Sequence, residues 1–508
     1  MKQNRVLVET KSGRLQGIYE DELYVFKGIP YAAPPVGELR WMPPQPVKPW
    51  SGTRSAEEFG PICPQDTTPT PVPGRKPSEE PQCEDCLFLN VWTPAADSGK
   101  RAVMVWIHGG AFIHGSGSTP NNPGKTLPNR GGIVLVTINY RLGPLGFLHL
   151  KHVTDDRIPS TGNEALLDQI AALRWVQDNI AVFGGDPDNV TVFGESAGAE
   201  SIGALLAMPQ SKGLFRRAIL QSGASKSQPV EKAVMAAERY LDKLSLTGKD
   251  VGALRSLPPE AFIKAQMELA ASGTPGVSAG GLGPVLDGEV LKEVPLDAIE
   301  RGSARDITVL AGSNLEEGKL FALMAGLDIQ RMDEDNMVRR VRQLVSEQYA
   351  AGLIENYRAA LATRDLPVTP YEIYAAIQGD QHFRMPNIRL CEFQEKFGSQ
   401  SYGYVFNWKS AAPGFGACHA LDVGFIFGNL IEEFHGCSPE AQRLAENMQD
   451  AWIAFARIGD PSCPGLGTWP RYGSDRKMMV LGADSRAKTA PYDAERAAWD
   501  GIPNNILG

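Results

Sequence analysis

The sequence predicts an α/β protein in which a large, mostly parallel central sheet is flanked by helices. Apolar and β-branched runs that are too continuous for half-exposed strands occur at residues 102–107, 133–138, 190–193 and 218–220. Such runs are typical of parallel strands buried on both faces. Between the second and third of them, apolar residues recur at helical spacing over residues 164–180. The order strand, helix, strand indicates a right-handed crossover.

The N-terminal segment has a different pattern, which predicts a small antiparallel sheet. Residues 6–9, 14–19 and 23–26 alternate in part and are separated by glycine and acidic turns. Further strands are predicted at residues 307–311 and 402–406. Helical patterns cover three later segments, at residues 336–362, 371–397 and 439–458.

The domain organisation follows from length and from the distribution of strand signals. At 508 residues the chain exceeds an average domain, yet large α/β proteins often carry extra length as insertions into one sheet-centred core. Two segments combine helical patterns and Gly/Pro-rich loops with few strand signals, as insertions above a sheet do. We therefore predict a single domain over residues 1–508, with insertions at about 225–300 and 315–400 that form the lid and pocket region.

Charge and hydropathy argue against nucleic-acid and membrane partners. The 50 Lys and Arg residues are outnumbered by 59 Asp and Glu residues, the formal charge is −9, and no dense basic tract is present. No apolar run reaches the length of about 18 residues that a membrane span requires. The N-terminus has neither a long apolar segment nor a small-residue cleavage site. We expect a cytoplasmic protein that is a monomer or a small homo-oligomer.

The cysteines do not indicate a disulfide scaffold or a metal centre. There are seven, and an odd number cannot pair completely. Cys63, Cys83 and Cys86 bracket a Pro-rich stretch, so one loop-closing bridge and fully reduced thiols are both compatible with the sequence. Cys83 and Cys86 have no second pair of ligands at zinc spacing, and no metal site is predicted.

The most informative motif is Gly-Glu-Ser-Ala-Gly at residues 194–198, which joins a predicted buried strand to a helix-compatible segment at residues 199–208. In a Gly-x-Ser-x-Gly turn the strained backbone lifts the serine hydroxyl clear of the chain, and only small neighbours leave room for it. The alternative is a serine in an ordinary strand-to-helix turn. The strand before and the helix after favour a nucleophile elbow, so we predict the α/β-hydrolase fold with Ser196 as nucleophile.

A second glycine turn, His-Gly-Gly-Ala-Phe at residues 108–112, follows the predicted strand at residues 102–107. Backbone amides in this turn are expected to face the elbow. Donors aimed at a tetrahedral oxyanion raise rates about a hundred- to a thousandfold each. We assign this role to the amides of Gly110, Ala111 and Ala197. The alternative is that the glycines only permit a tight turn.

The general base is sought among the histidines that follow the serine, because in this fold the chain order is serine, acid, histidine. His382, His419 and His435 meet this condition. His382 lies in a helical pattern, and His435 lies near a helix end, where capping is an ordinary role. His419 follows a predicted strand in a loop of small residues, where functional side chains are common. We predict His419 as the base, and a solvated loop histidine is the alternative.

The acid is expected between Ser196 and His419 in the sequence. The predicted strand at residues 307–311 leads into Gly-Ser-Asn-Leu-Glu-Glu-Gly at residues 312–318, which places two carboxylates after a strand end. Glu316 and Glu317 point in different directions because they are adjacent. The pattern by itself does not choose between them.

Several motifs together resemble the type B carboxylesterase and cholinesterase family, and within it the bacterial para-nitrobenzyl esterase branch. The resemblance covers nearly the whole chain. It rests on Phe-Gly-Gly-Asp-Pro at 183–187 with the elbow, Glu-Asp-Cys-Leu-Phe-Leu-Asn-Val at 84–91, Phe-Lys-Gly-Ile-Pro-Tyr-Ala at 26–32, Asn-Tyr-Arg at 139–141, and Gly-Asn at 162–163 with Leu-Asp-Gln at 167–169.

The resemblance implies a serine carboxylesterase with a Ser-His-Glu triad and no cofactor or metal. The family's acid directly precedes a glycine, which selects Glu317, and its histidine stands where His419 does, ahead of Gly-Phe-Ile-Phe-Gly at 424–428. The expected substrates are small carboxylic esters with short-chain acyl groups or with aryl or bulky alcohols. The resemblance also implies structural contacts: the ion pairs Arg40 with Glu84 and Arg141 with Asp168, and a disulfide between Cys63 and Cys86, from which the additional Cys83 departs.

Three features of the sequence bear on substrate preference. Residues 64–85 contain no aromatic side chain for cation–π binding of an ammonium group, so a choline ester specialist is not expected. The small residues at 272–283 indicate an open acyl site, and the Gly-Gly-Ala turn resembles that of esterases that accept tertiary alcohols. The same machinery acting on amides, thioesters or lactones, and a non-catalytic cholinesterase-like binding protein, are the alternatives.

Overall fold

The structure of the chain is a computed structural model that describes residues 5–68, 72–74, 78–271, 281–326, 331–364 and 366–507. The strands in these ranges are β1 (Arg5–Thr10), β2 (Gly13–Glu20), β3 (Leu23–Pro30), β4 (Thr53–Ser55), β5 (Phe88–Thr93), β6 (Arg101–Ile107), β7 (Val134–Ile138), β8 (Gly185–Glu195), β9 (Arg217–Gln221), β10 (Gln228–Pro229), β11 (Val285–Leu286), β12 (Thr308–Asn314), β13 (Ser401–Phe406), β14 (Lys477–Leu481) and β15 (Arg486–Thr489).

The α-helices in the same ranges are α1 (Thr126–Gly131), α2 (Gly143–Phe147), α3 (Glu164–Asn179), α4 (Ala197–Ala207), α5 (Val230–Lys243), α6 (Val251–Ser256), α7 (Pro259–Ala271), α8 (Pro295–Glu300), α9 (Gly318–Met324), α10 (Glu334–Val345), α11 (Glu347–Thr363), α12 (Pro370–Gly379), α13 (Met385–Lys396), α14 (Val423–Phe427), α15 (Glu432–His435), α16 (Pro439–Ile458) and α17 (Asp493–Ala497). A π-helical turn, Asp380–Arg384, joins α12 to α13.

The residues group into two compact units. The first takes its residues from Met1–Pro69, Lys76–Ala218 and Lys226–Pro295, and the second from Thr70–Arg75, Ile219–Ser225 and Leu296–Gly508. The single domain over residues 1–508, with insertions at about 225–300 and 315–400, stays a prediction.

The first unit contains a mixed sheet in the order β1, β2, β3, β5, β7, β6, β8, with β4 beside β2. The strands from β1 to β7 in this order pair antiparallel, and β6 pairs parallel with both β7 and β8. The predicted N-terminal antiparallel sheet and the predicted buried parallel strands are therefore confirmed. Because β6 and β8 are parallel and in register, with Ile107 opposite Gly194, both strands end at the same edge of the sheet.

The second unit contains the end of β9 and a sheet in the order β12, β13, β14, β15. The strands β12, β13 and β14 are parallel, and β15 is antiparallel to β14. Asn314, the last residue of β12, lies opposite Phe406, the last residue of β13. The segments that follow these two strands therefore start side by side.

The helix predicted over residues 336–362 is wrong as a single helix. It is divided into α10 and α11 at Ser346, whose φ of 72° is incompatible with a right-handed helix. The apolar spacing continues on both sides of the break, and no glycine or proline marks it. The helix predicted over residues 439–458 is confirmed as α16, which has Ser438 as its N-cap and Gly459, in the left-handed conformation, as its C-cap.

The implied structural contacts differ in outcome. The ion pairs Arg40 with Glu84 and Arg141 with Asp168 are both present; the second is buried and the first is partly buried. The Cys63–Cys86 disulfide is not formed in the structure, where both thiols are free and buried. No helix in the described ranges has the length and apolar character that a transmembrane segment needs.

We predict that Asp168→Asn strongly destabilises the first unit. Arg141 donates to both carboxylate oxygens of Asp168, at 2.8 Å from Nε and 2.7 Å from Nη2, in a site closed to solvent. Removing one partner of a buried pair leaves an uncompensated charge, which costs about 3–5 kcal/mol. Calorimetric melting should show a clearly lower transition temperature. The control is Glu9→Gln, which breaks the exposed Arg14–Glu9 pair and should leave melting nearly unchanged. Equal melting of the two variants would contradict the prediction.

Candidate active site

Ser196 occupies a strained bend between β8 and α4. Its φ of 55° and ψ of −126° lie in a region that non-glycine residues rarely adopt. The glycines on either side are required by packing. A β-carbon at Gly198 would overlap the carbonyl oxygen of Ile107, and one at Gly194 would lie 2.7 Å from the same oxygen. The end of β6 therefore presses directly against the bend and explains why the sequence there reads Gly-x-Ser-x-Gly.

The turn after β6 is strained as well and lies next to Ser196. Gly110, Ala111 and Phe112 have φ values of 117°, 54° and 64° in succession. A β-carbon placed on Gly109 would lie 3.1 Å from Cβ of Ser196. Positive φ at non-glycine residues costs about 1–3 kcal/mol each and is retained mostly at functional sites. The predicted turn and the predicted elbow are thus brought together.

His108 holds the base of this turn as a neutral imidazole. Its ring stacks on Tyr140 with the centroids 4.4 Å apart, and its Nδ1 lies 2.9 Å from the carbonyl oxygen of Gly109. Burial lowers the pKa of His108 to about 4, although the contact with Gly109 opposes the shift. Near neutral pH the ring is uncharged, and Nδ1 donates to Gly109. The hydroxyl of Tyr140 donates to the carbonyl oxygen of His108 and fixes the turn from behind.

In the second unit, Glu317 and His419 form a buried hydrogen-bonded pair. Nδ1 of His419 donates to Oε2 of Glu317 at 2.6 Å, and the two residues are 4% and 2% exposed. The other carboxylate oxygen, Oε1, accepts from the Ser222 hydroxyl at 2.5 Å and from the Asn314 amide nitrogen at 2.6 Å. A carboxylate only accepts hydrogen bonds, so the proton of the neutral ring is on Nδ1 and its Nε2 is a base.

Two phenylalanines cover the imidazole of His419. The Phe383 ring stacks on it at 4.4 Å with an interplanar angle of 27°, and the Phe321 ring lies 4.9 Å away. Phe383 belongs to the π-helical turn Asp380–Arg384, and such turns are frequent at functional sites. The ring of His419 is held by apolar contacts as well as by its carboxylate.

Glu316, which the sequence left in competition with Glu317, has a different position. Its Oε2 accepts from the amide nitrogen of Ala417 at 2.8 Å, and its own amide nitrogen donates to the carbonyl oxygen of Ala417 at 2.9 Å. Its Oε1 lies 2.6 Å from Nζ of Lys319. Glu316 therefore attaches the loop that carries His419 to the end of β12, while Glu317 contacts the imidazole.

The structure also shows the positions of residues that the sequence analysis did not assign to the site. His435 is buried, accepts from the Ile431 amide nitrogen through Nδ1, and has a pKa lowered to about 4 by burial. His382 lies in the π-helical turn. Ser222 and Asn314 hold Glu317 but were not predicted: Ser222 lies 95 residues before Glu317, and Asn314, although only three residues away, donates through its backbone nitrogen, which no side-chain pattern indicates. Of the predicted acyl site at residues 272–283, residues 272–280 lie outside the described residues.

A group of three or more His, Cys, Asp or Glu side chains arranged for metal binding does not occur among the residues that the structure describes. The contacts of Glu317 and His419 given above are hydrogen bonds and packing against aromatic rings. The arrangement therefore supplies a strained hydroxyl with adjacent backbone amides in the first unit and a carboxylate-oriented imidazole in the second.

Comparison with known proteins gives a consistent result. A family model described as the carboxylesterase family matches residues 4–499. The para-nitrobenzyl esterase of Bacillus subtilis is 36% identical over 96% of this chain and 97% of its own length. The phenmedipham hydrolase of Pseudarthrobacter oxydans is 34% identical over the same shares of the two chains.

The solved structures also agree. A crystal structure of a Geobacillus stearothermophilus carboxylesterase, determined at pH 6.2, has a TM-score of 0.87 to this chain at 40% identity. It covers 98% of this chain and 100% of that one. The predicted α/β-hydrolase fold, with its large mostly parallel sheet and small N-terminal antiparallel part, is confirmed by these neighbours.

Proposed function

We propose that this chain, which belongs to the carboxylesterase family, hydrolyses carboxylic esters through an acyl-enzyme on Ser196, with His419 as general base and Glu317 as the acid that orients it. The observation that supports the proposal most strongly is the strained backbone of Ser196 at the junction of β8 and α4. A protein that did not need this hydroxyl exposed would have no reason to keep a non-glycine residue there.

In the proposed cycle, Nε2 of His419 accepts the proton of the Ser196 hydroxyl as the oxygen attacks the ester carbonyl. The imidazolium then protonates the leaving alcohol, and the same ring activates the water that releases the acid. Glu317 keeps the proton of the neutral ring on Nδ1 and stabilises the imidazolium, for which its 2.6 Å contact with Nδ1 is suited.

The amides of Gly110, Ala111 and Ala197 are proposed to bind the oxyanion. The nearness of the turn to Ser196 supports this role, because a β-carbon on Gly109 would lie 3.1 Å from Cβ of Ser196. Ala197 is the first residue of α4, so its amide belongs to the helix N-terminus, where negative charge is favoured.

The proposed substrates are small carboxylic esters with short-chain acyl groups or with aryl or bulky alcohols. The names of the relatives support this class, since one is a para-nitrobenzyl esterase and another a phenmedipham hydrolase. Hydrolysis of amides, thioesters or lactones would use the same acyl-transfer groups. Assays with those compounds as substrates would detect it as turnover.

The triad is tested by three single variants assayed with para-nitrophenyl acetate and butyrate. Ser196→Ala should lose turnover. Glu317→Gln should lower kcat about a thousand- to ten-thousandfold, because an amide does not hold the imidazole in the required tautomer. The matched control is Glu316→Gln, which changes the neighbouring carboxylate in the same way. Its amide oxygen still accepts from Ala417, so kcat should fall less than about tenfold.

Two outcomes would contradict the triad. Unchanged turnover by Ser196→Ala would show that the measured hydrolysis does not use Ser196. It would favour the alternative of a non-catalytic binding protein. A larger loss in Glu316→Gln than in Glu317→Gln would exchange the roles of the two carboxylates. Melting curves of all three variants separate loss of chemistry from loss of fold.

The oxyanion assignment predicts a large effect for Gly110→Ala. The new methyl group would overlap the carbonyl oxygen of His114, so the turn must shift and move the amides of Gly110 and Ala111. Loss of one aligned donor lowers kcat about a hundred- to a thousandfold. Gly37→Ala is the matched control, since Gly37 also has a positive φ of 57° but no atom lies within 4 Å of the added carbon. A Gly110→Ala enzyme with the activity of Gly37→Ala would remove the turn from the mechanism.

Tolerance of bulky alcohols predicts measurable hydrolysis of tert-butyl acetate beside n-butyl acetate. The turn next to Ser196 carries no side chain larger than a methyl group over residues 109–111, which leaves room for a branched alcohol close to the amides. The two rates should be compared by acid release, with Ser196→Ala as the blank. Absence of tertiary ester turnover by an enzyme that hydrolyses n-butyl acetate would restrict the proposed substrates to unhindered alcohols.

A further inference from the structure

Asp422 is a buried carboxylate that the proposed mechanism does not use. It lies three residues after His419, immediately before α14, and is 0% exposed. No lysine or arginine of the described residues forms an ion pair with it; its hydrogen-bond partners are two amides and a phenol. Burying an unpaired carboxylate is unfavourable, so its retention beside the catalytic loop requires a reason.

The two amides are oriented to donate to Asp422. Nε2 of Gln221 donates to Oδ2 of Asp422 at 2.8 Å, and the opposite end of the Gln221 amide accepts from the indole nitrogen of Trp452 at 3.1 Å. An indole N–H only donates, so the oxygen of Gln221 must face Trp452 and its NH₂ group must face Asp422.

Asn314 is fixed in the same way. Its Nδ2 donates to the carbonyl oxygen of Cys418 at 2.6 Å and lies 3.3 Å from Oδ1 of Asp422. A carbonyl only accepts, so the NH₂ group of Asn314 is also on the Asp422 side. The hydroxyl of Tyr404 completes the site at 3.4 Å from Oδ2. The pocket around Asp422 is therefore built from donors and fits a carboxylate.

Asn314 connects this pocket to the Glu317–His419 pair. Its backbone nitrogen donates to Oε1 of Glu317, while its side chain holds Cys418, the residue before His419. One asparagine thus contacts Glu317, Asp422 and the loop that carries the imidazole. Displacement of Asp422 would be transmitted to both members of the pair through a single residue.

We propose that Asp422 is a positioning residue of the esterase site, which holds Asn314 and the His419 loop in place and whose negative charge raises the pH at which the imidazole loses its proton. This inference rests on the proposed function, because it takes His419 to be the general base.

Several charged or titratable groups face Asp422, and their effects differ in sign. Burial raises the pKa of Asp422 to about 6, and the Glu317 carboxylate adds to the rise. Hydrogen bonds from Gln221 and Asn314, and the charge of His419, oppose it. Among the described residues, the Tyr404 hydroxyl and the buried thiol of Cys418 also face Asp422. Above about pH 6 the carboxylate is charged and favours the imidazolium, and below it this support is lost.

The test is the pH profile of kcat/KM for para-nitrophenyl butyrate in Asp422→Asn. Removing a negative charge near the imidazole disfavours its protonated form, so the acidic midpoint should move down by about half a pH unit or more. We also expect kcat to fall while KM stays within about twofold, because the substrate does not touch Asp422. A purely structural role would lower the plateau and leave the midpoint in place.

The matched control is Glu164→Gln, which makes the same chemical change at another fully buried carboxylate. Burial raises the pKa of Glu164 to about 7, and its partners, Ser160 and the amides of Thr161 and Gly162, lie in the first unit. Its midpoint should equal that of the wild type. An Asp422→Asn midpoint that equals the control or moves upward would overturn the proposal.

Two further variants keep the test decisive. Gln221→Met removes the strongest donor to Asp422 and makes the carboxylate harder to ionise, so the acidic midpoint should move down by a smaller amount. If Asp422→Asn does not fold, an unchanged midpoint in Gln221→Met overturns the proposal. Ser196→Ala distinguishes a failure of the proposed function from a failure of the proposed role of Asp422. Turnover retained in that variant contradicts the proposed function, whereas its loss together with an unmoved Asp422→Asn midpoint contradicts only the role of Asp422.

Discussion

The close packing of the end of β6 against the bend at Ser196 is the constraint on which the first unit's candidate site depends. The carbonyl oxygen of Ile107, the last residue of β6, occupies the space that β-carbons at positions 194 and 198 would need, so these positions are limited to glycine. The bend can then place Ser196 in a positive-φ conformation that is unfavourable by itself. The same strand end leads into the glycine turn, which explains why the two strained segments are neighbours.

Strain in this region is balanced by rigid contacts behind it. Ala111, Phe112 and Ser196 each have a positive φ, at about 1–3 kcal/mol apiece. Tyr140 and the neutral ring of His108 fix the base of the turn, and the buried strands β6, β7 and β8 supply the apolar burial that offsets the strain. A charged His108 would not be compatible with this packing, which accounts for its lowered pKa.

The sequence predicted those parts of the structure that depend on local pattern. Continuous apolar runs identified β6, β7, β8 and β9, whereas β5 was not predicted because Asn90 interrupts its run. In the fold the Asn90 side chain donates to Thr137 and accepts from Gly28, so its polarity is satisfied inside the sheet. Ser222 and Asp422 were not predicted either. They meet near Glu317 only through tertiary contacts from separate elements, and no spacing in the sequence records such contacts.

The environments of Glu316 and Glu317 show how adjacent carboxylates acquire different roles. Glu316 is neutralised by Lys319 and holds the loop at Ala417. Glu317, by contrast, has no lysine or arginine partner among the described residues, and its second oxygen is satisfied by neutral donors from Ser222 and Asn314. A cation at that oxygen would reduce the field that the carboxylate exerts on the imidazole. Neutral donors orient the carboxylate without cancelling its charge, which is the condition for stabilising an imidazolium that forms only during the reaction.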